Sequence, residues 1–320
     1  QFQTMKKSIS LLLLSLLMIT PSCQKPKEVT NEYNIVPQPN QLVPKEGRFE
    51  LSNKVRLVVP SDAPEVKKVA DGFAEQLKQT AGISLKEAES VDGKPAISFV
   101  LQEGMPKEGY KLSVTPTLIT VTASQPNGFF YGVQTIYQLL PPAVYGKELK
   151  KKADWSVPAV EIEDAPRFVH RGLMLDVSRH FSTKEFIKKQ IDALAYYKIN
   201  RLHLHLTDAA GWRLEIKKYP LLTDFAAWRT DPTWKKWWNG GRKYLRYDEP
   251  GASGGYYTQD DIREILEYAR QHYITVIPEI EMPSHSEEVL AAYPQLSCSG
   301  EPYKNSDFCV GNEETFTFLE

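Results

Sequence analysis

Three short apolar segments in the second half of the chain each run into polar residues, and this pattern most limits what the chain can fold into. Residues 173–177 lead into Asp176-Val-Ser-Arg179, residues 200–206 into Thr207-Asp208, and residues 274–280 into Glu279-Ile-Glu281-Met-Pro-Ser-His285. Helical patterns separate them. Ser182-Thr183 can cap a helix with apolar Phe186, Ile187, Ile191, Leu194 and Tyr197. Thr258, with Asp261 three residues on, caps a second that carries Ile262, Ile265, Leu266 and Ala269, and residues 286–292 read as a third. Strand and helix thus alternate three times, as in a parallel α/β fold. A parallel barrel gathers its active site at the carboxyl ends of its strands, where the polar residues fall here. A doubly wound sheet would carry a glycine-rich turn after its first strand, and none is present.

The first half reads differently. Residues 54–59, 96–101, 110–114 and 118–122 are β-like runs bounded by Pro or Gly. Val66, Val69, Ala70, Phe73 and Leu77 recur at helical spacing over residues 64–80, and a second helix over residues 128–140 stops at Pro141-Pro142. The expectation is an α+β domain over residues 34–166, closed by an acidic, Pro-flanked connector at 158–166. A (β/α)8 TIM barrel follows over residues 167–320, of which the first three βα units are present.

Residues 1–23 read as an export signal. Met5 is followed by Lys6 and Lys7, an apolar run over residues 9–19, and Thr20-Pro21-Ser22-Cys23. The run is too short to span a bilayer as a helix, which takes about 20 residues. It predicts either a plain signal peptide or, the reading preferred, a bacterial lipoprotein acylated on Cys23, with residues 24–33 as tether. Contact with a membrane is then through the lipid alone, and the location is periplasmic or on the outer membrane. In an exported chain the remaining cysteines, Cys298 and Cys309, suggest a loop disulfide; two free thiols are the alternative. With 39 basic and 40 acidic residues, the chain has no positive excess for phosphate contacts, which argues against nucleic acid as a partner.

Four blocks are more specific. Arg171-Gly-Leu-Met-Leu-Asp-Val-Ser-Arg-His-Phe181, Asn200-Arg-Leu-His-Leu-His-Leu-Thr-Asp208, Gly211-Trp-Arg213 and Pro278-Glu-Ile-Glu-Met-Pro-Ser-His285 resemble, in order, motifs of glycoside hydrolase family 20, the β-N-acetylhexosaminidases. The domain before Pro166 resembles the one that precedes the barrel in that family. The resemblance implies removal of terminal β-linked N-acetylglucosamine or N-acetylgalactosamine from glycans, with retention and without cofactor or metal. It implies that Arg179 grips hydroxyls of the terminal sugar, and that Asp208 and His285 link the pocket to the catalytic acid. Read from the residues alone, Arg179 could equally pair with Asp176. Ala209, Ala210, Glu281 and Ser284 depart from the family's usual residues.

The family's chemistry is substrate-assisted: the substrate's acetamido oxygen attacks the anomeric carbon, while an Asp-Glu pair orients the acetamide and protonates the leaving oxygen. That pair ends the fourth barrel strand in a Gly-Gly-Asp-Glu context, which places it beyond residue 320. The Asp248-Glu249 dipeptide sits in a loop before a proline and is not expected to replace it. The 320-residue chain therefore reads as an inactive fragment, with no catalytic residue of its own. His203 and His205 share one face of their strand, and packing within the barrel is the expectation; an H-x-H metal site, as in metal-dependent amidohydrolases, is the rival. The loop over residues 225–257 is rich in Trp and Tyr. Trp237 within it and Trp212, which precedes it, are the candidates for stacking on a sugar ring, against the plainer reading that such rings pin the loop. A glycan-binding surface lipoprotein without catalysis is the alternative from another class.

Overall fold

A computed structural model describes residues 33–320. The Met5–Cys23 leader, with its expected lipid site at Cys23, lies outside the described residues. The first part is a seven-stranded mixed sheet. Its strands are β1 (Gln41–Glu50), β2 (Arg56–Val58), β3 (Lys86–Ala88), β4 (Ala96–Leu101), β5 (Tyr110–Val114), β6 (Leu118–Ala123) and β7 (Ser156–Asp164), in the order β1-β7-β5-β6-β4-β2-β3. Helices α1 (Pro64–Ala81) and α2 (Pro126–Leu139) complete the layer. The helical spacing in α1 buries Val66, Val69, Phe73 and Leu77, and Gly82 ends it in the left-handed conformation at φ 72°. Helix α2 lies flush on the sheet, since a Cβ on Gly132 would meet the Val121 side chain at 2.6 Å.

The connector expected at residues 158–166 is corrected: most of it is strand β7, between β1 and β5. Val160 and Ile162 are buried, while Glu161 and Glu163 reach Ser113 and Lys111 on β5. The acidic residues are thus the outer face of an alternating strand. Pro158 fits because β5 pairs only with Val160–Asp164, so at Pro158 the strand has β1 alone beside it.

The second part holds the three expected strands, β8 (Gly172–Asp176), β9 (Arg201–His205) and β12 (Thr275–Glu279), all parallel in the order β12-β9-β8. Helix α3 (Lys184–Tyr196) leads from β8 to β9, and α6 (Gln259–Gln271) precedes β12. Both caps form. The Thr183 hydroxyl accepts from Phe186 N–H, and Thr258 with Asp261 makes a reciprocal capping box. Leu202 and Leu204 point toward Ile187, Ile191, Leu194, Ile265 and Ala269 of the helices. Phe186 and Leu266 instead stay exposed. Among the described residues this sheet has three strands and does not close into a barrel.

Between β9 and α6 the loop holds α4 (Leu221–Asp224), a two-residue ladder of β10 (Trp228–Arg229) with β11 (Ser253–Gly254), and α5 (Trp234–Asn239). Helices α7 (Glu287–Ala292) and α8 (Glu313–Leu319) follow β12. Cys298 and Cys309 are disulfide-bonded between these two helices. No helix of the described residues is long and apolar enough to cross a membrane.

The two parts meet at the amino ends of β8 and β9. Arg171 sends Nη1 to Glu108 Oε2 at 2.9 Å and Nε to the Lys198 carbonyl at 2.8 Å, and Asn200 Nδ2 donates to Glu108 Oε1 at 3.1 Å. Lys198, buried, bonds Tyr110 and Asp164. Burial pulls its ammonium below the ordinary value despite Asp164.

Candidate functional site

Successive strand side chains alternate faces, so Asp176, His205 and Glu279 share one. The ladder sets them at one level at the carboxyl end, Asp176 opposite His205 and Glu279 opposite His205. Arg179, just beyond β8, folds back over them. Its Nη1 donates to Asp176 Oδ2 at 2.7 Å, and its Nη2 lies 2.6 Å from Asp208 Oδ2. Asp208 is buried, whereas 38% of the Arg179 side chain remains exposed. A guanidinium has five N–H donors, so two carboxylate contacts leave donors for a ligand.

His205 is clamped on both ring nitrogens, with Nδ1 2.6 Å from Glu279 Oε2 and Nε2 3.1 Å from Asp208 Oδ2. Burial works against its charge, but the bonds to Glu279 and Asp208 outweigh it and raise the imidazole above its usual value. Burial likewise pushes the Glu279 carboxyl up, and His205 and His203 together bring it below the ordinary value. His203 Nε2 reaches the same Glu279 oxygen at 2.7 Å. The expectation that both histidines merely pack in the sheet is therefore corrected: each holds a carboxylate. His285, at φ 52° in the left-handed region, completes the cluster 3.7 Å from Asp208 and 3.5 Å from Glu281. Thus Arg179, Asp208 and His285, distant in sequence, come together on Asp208.

His205, Glu279 and Glu281 could offer a metal three ligand atoms, within 4.8 Å of one another. Yet both nitrogens of His205 already face carboxylates at hydrogen-bond distance, so an ion would have to break those contacts first.

The aromatic expectations need correction. Trp212 is buried among Leu222, Ala226, Val289, Leu290 and Phe318, with its N–H on the Leu214 carbonyl. Trp237 is 1% exposed, with its N–H on the Lys243 carbonyl and the Arg229 guanidinium over its ring. Neither offers a ring face to a sugar; both anchor the loop. Exposed aromatics of the loop are Trp234, Trp238 and Tyr247.

Arg213 fixes this loop to the site. Wholly buried, it donates to the carbonyls of Val177, Ser178, Ala210, Ala227 and Gly255, at distances from 2.6 to 3.3 Å. Burial lowers its guanidinium to about 10, so it stays charged at neutral pH. Gly211 lies so close that a Cβ there would sit 2.4 Å from Arg213 Nη2. Because Ser178 is one of its acceptors, Arg213 holds the turn that presents Arg179.

Two family models match this chain: the catalytic domain of glycosyl hydrolase family 20 over residues 168–320, and domain 2 of that family over residues 32–165. The chain belongs to glycosyl hydrolase family 20. Among similar family 20 proteins is a β-hexosaminidase of Porphyromonas gingivalis, 39% identical over 320 residues, which cover 95% of this chain and 39% of that protein. The family 20 β-N-acetylhexosaminidase structure from Streptomyces coelicolor superposes with a TM-score of 0.75 at 33% identity, over 90% of this chain and 56% of that one. The Vibrio harveyi exo-β-N-acetylglucosaminidase, solved with N-acetylglucosamine, gives 0.75 at 28% identity, over 92% and 44%. The chain thus spans between two fifths and somewhat over half of these relatives.

Within the family 20 frame, three residues escaped sequence reasoning. Glu279 and His205 lie in quoted motifs, but only strand pairing shows that they bond each other. Glu288 gave no signal, because nothing marks a glutamate in α7 as buried. It is 1% exposed, and its Oε2 has no hydrogen-bond partner among the described residues. Burial drives its carboxyl well above the usual 4.5, Glu287 and Asp208 add to this, and Arg213 opposes it. A carboxyl whose folded value is raised contributes stability fully below its unfolded value, and loses it as pH rises through the folded value. Glu288→Gln should therefore melt close to the unaltered chain at pH 5 and increasingly above it toward pH 8, as followed by circular dichroism. A gap that closes with rising pH would refute the burial argument. The Asp248-Glu249 pair is exposed, with Glu249 accepting from Arg246 N–H within the loop.

Proposed function

We propose that this chain supplies the sugar-gripping part of the site of an exo-β-N-acetylhexosaminidase, which removes terminal β-linked N-acetylglucosamine or N-acetylgalactosamine by a retaining, substrate-assisted route. One observation carries the reading: Arg179 stands over the carboxyl ends of three parallel strands, held by Asp176 and Asp208 yet still open to solvent. A planar fork with spare donors suits two adjacent sugar hydroxyls. The description of the Vibrio harveyi relative, an exo-β-N-acetylglucosaminidase bound to N-acetylglucosamine, supports the substrate class. On this reading the strands belong to a (β/α)8 barrel, and the leader ending at Cys23 sends the protein out of the cytoplasm as a lipoprotein.

On this reading the cluster holds the sugar and does not itself protonate the leaving oxygen. A general acid must carry a proton at the working pH and reach the substrate. Asp176 and Asp208 are both engaged by the Arg179 guanidinium, Glu279 is held below its ordinary value by His205 and His203, Glu288 is buried, and Glu287, whose carboxyl burial raises, is engaged by Arg242 at 3.2 Å. Catalysis then falls to an Asp-Glu pair of the kind the family places after its fourth strand. The 320-residue chain is expected to bind N-acetylglucosamine, seen as changes in tryptophan fluorescence, and to release no p-nitrophenol from the β-N-acetylglucosaminide above a heat-inactivated control. Turnover by this chain would refute the division of labour, and absence of sugar binding would refute the pocket.

A further inference from the structure

We infer that the loop segment over residues 233–247 forms a second subsite that receives an anionic sugar next to the terminal hexosamine; this rests on the reading of the Arg179 cluster as the terminal-sugar pocket. The chain as a whole is balanced, at a net charge of -1. This segment is not: it carries Lys235, Lys236, Arg242, Lys243 and Arg246 and no acidic residue. All five cations are exposed. Arg242 and Arg246 have carboxylates nearby, Glu287 at 3.2 Å and Asp248 at 3.7 Å. Among the described residues, Lys235, Lys236 and Lys243 have no carboxylate within ion-pair distance.

The same segment carries sugar-sized apolar surface. Trp234 and Trp238 stack at 5.2 Å with planes 21° apart and remain 39% and 43% exposed. Arg242 lies 4.8 Å from the Trp238 ring centroid, which stiffens the stack. Exposed indoles suit the C–H faces of a pyranose, and the Arg242 guanidinium at Trp238, with the lysines of the same segment adding positive charge, suits a sulfate or a uronate carboxylate on that ring.

The segment is also continuous with the pocket. Arg229, stacked on Trp237, donates to the carbonyl of Arg179 at 3.0 Å. Arg242 reaches Glu287, two residues from His285, and the Tyr244 hydroxyl donates to the carbonyl of Ala209, next to Asp208. These contacts tie the segment that carries the aromatic, cationic shelf to residues flanking the pocket. The occupant that fits is an oligosaccharide with a neutral hexosamine at its end and a charged sugar behind it.

The test measures binding to the 320-residue chain by calorimetry with five probes. These are N-acetylglucosamine, neutral chitotetraose, an O-sulfated chitotetraose, a hyaluronan-type tetrasaccharide ending in N-acetylglucosamine, and a single-stranded oligonucleotide. At low salt one or both anionic tetrasaccharides should bind about tenfold tighter than the neutral one, and which of them does so separates sulfate from uronate. The margin should vanish at high salt and in the Lys235→Ser/Lys236→Ser variant, while Trp238→Ala should weaken every tetrasaccharide. Equal affinities, a margin that survives loss of the lysines, or tighter binding of the oligonucleotide would overturn the inference. N-acetylglucosamine binding without an anionic margin sinks the shelf alone. An anionic margin without monosaccharide binding, and indifferent to Arg179→Lys, sinks the pocket and leaves the shelf's preference standing.

Discussion

Arg179→Lys should lose most of the affinity for N-acetylglucosamine, whereas Arg171→Lys should keep that affinity and melt at a lower temperature. Both residues are arginines flanking β8, and both contact carboxylates, but at opposite ends of the strand. At Arg179 the ammonium of lysine could still meet Asp208 or Asp176, but it could not bridge both and also present a planar pair of donors. Hydrogen bonds to charged groups are worth about 1.5–3 kcal/mol each, so loss of one weakens the sugar by roughly tenfold to somewhat over a hundredfold. At Arg171 the fork joins Glu108, the Phe168 and Lys198 carbonyls and the Tyr131 hydroxyl, all far from the carboxyl ends. Lysine there forfeits contacts between the two parts of the chain, at a cost on the order of 2 kcal/mol. Calorimetric titration with N-acetylglucosamine and thermal melts of both variants decide the matter. Equal affinity losses would remove the distinction between a sugar-binding and a structural arginine.

Arg213→Met should be the most destabilising single change in the second part. Methionine fills much of the space, but it removes the side-chain donor from five buried carbonyls, of which Ala227 keeps a backbone partner in Gly255 N–H. Each buried acceptor left unsatisfied costs about 1–3 kcal/mol, so even with partial relaxation the loss is on the order of 5 kcal/mol. Lysine has three donors and no fork, so Arg213→Lys should fall between methionine and the native residue. The expected readouts are a lowered denaturant midpoint and earlier proteolytic cleavage between residues 206 and 257. Since Arg213 also holds the Ser178 carbonyl, sugar affinity at Arg179 should fall with it. A methionine variant as stable as the parent would mean that the loop is fixed by its apolar contacts alone.

Much of the fold was readable because its signals are local. The caps at Thr183 and Thr258, the apolar spacing in α1 and α3, and the change to polar residues at the ends of β8, β9 and β12 depend on neighbours a few positions away. The family motifs likewise placed Arg179, Asp208 and His285 at strand ends, and the resemblance named their family. What escaped depends on residues far along the chain. Strand β7 looked like a connector because its prolines and glutamates are strand-compatible only once β1 and β5 flank it. Trp212 and Trp237 looked like sugar platforms because an aromatic in a loop says nothing of what covers it; here the packing of α7 and α8, and a stack with Arg229, cover them. The H-x-H pair set two histidines on one face, but the choice between packing, metal and ion pair fell to Glu279, brought beside them by the parallel pairing of β12 with β9. Sequence alone thus determined the elements whose signals are local and which chemical groups cap them. Tertiary structure decided which groups are buried, which are paired and which remain free to bind, because burial and pairing depend on distances between elements that no local pattern records.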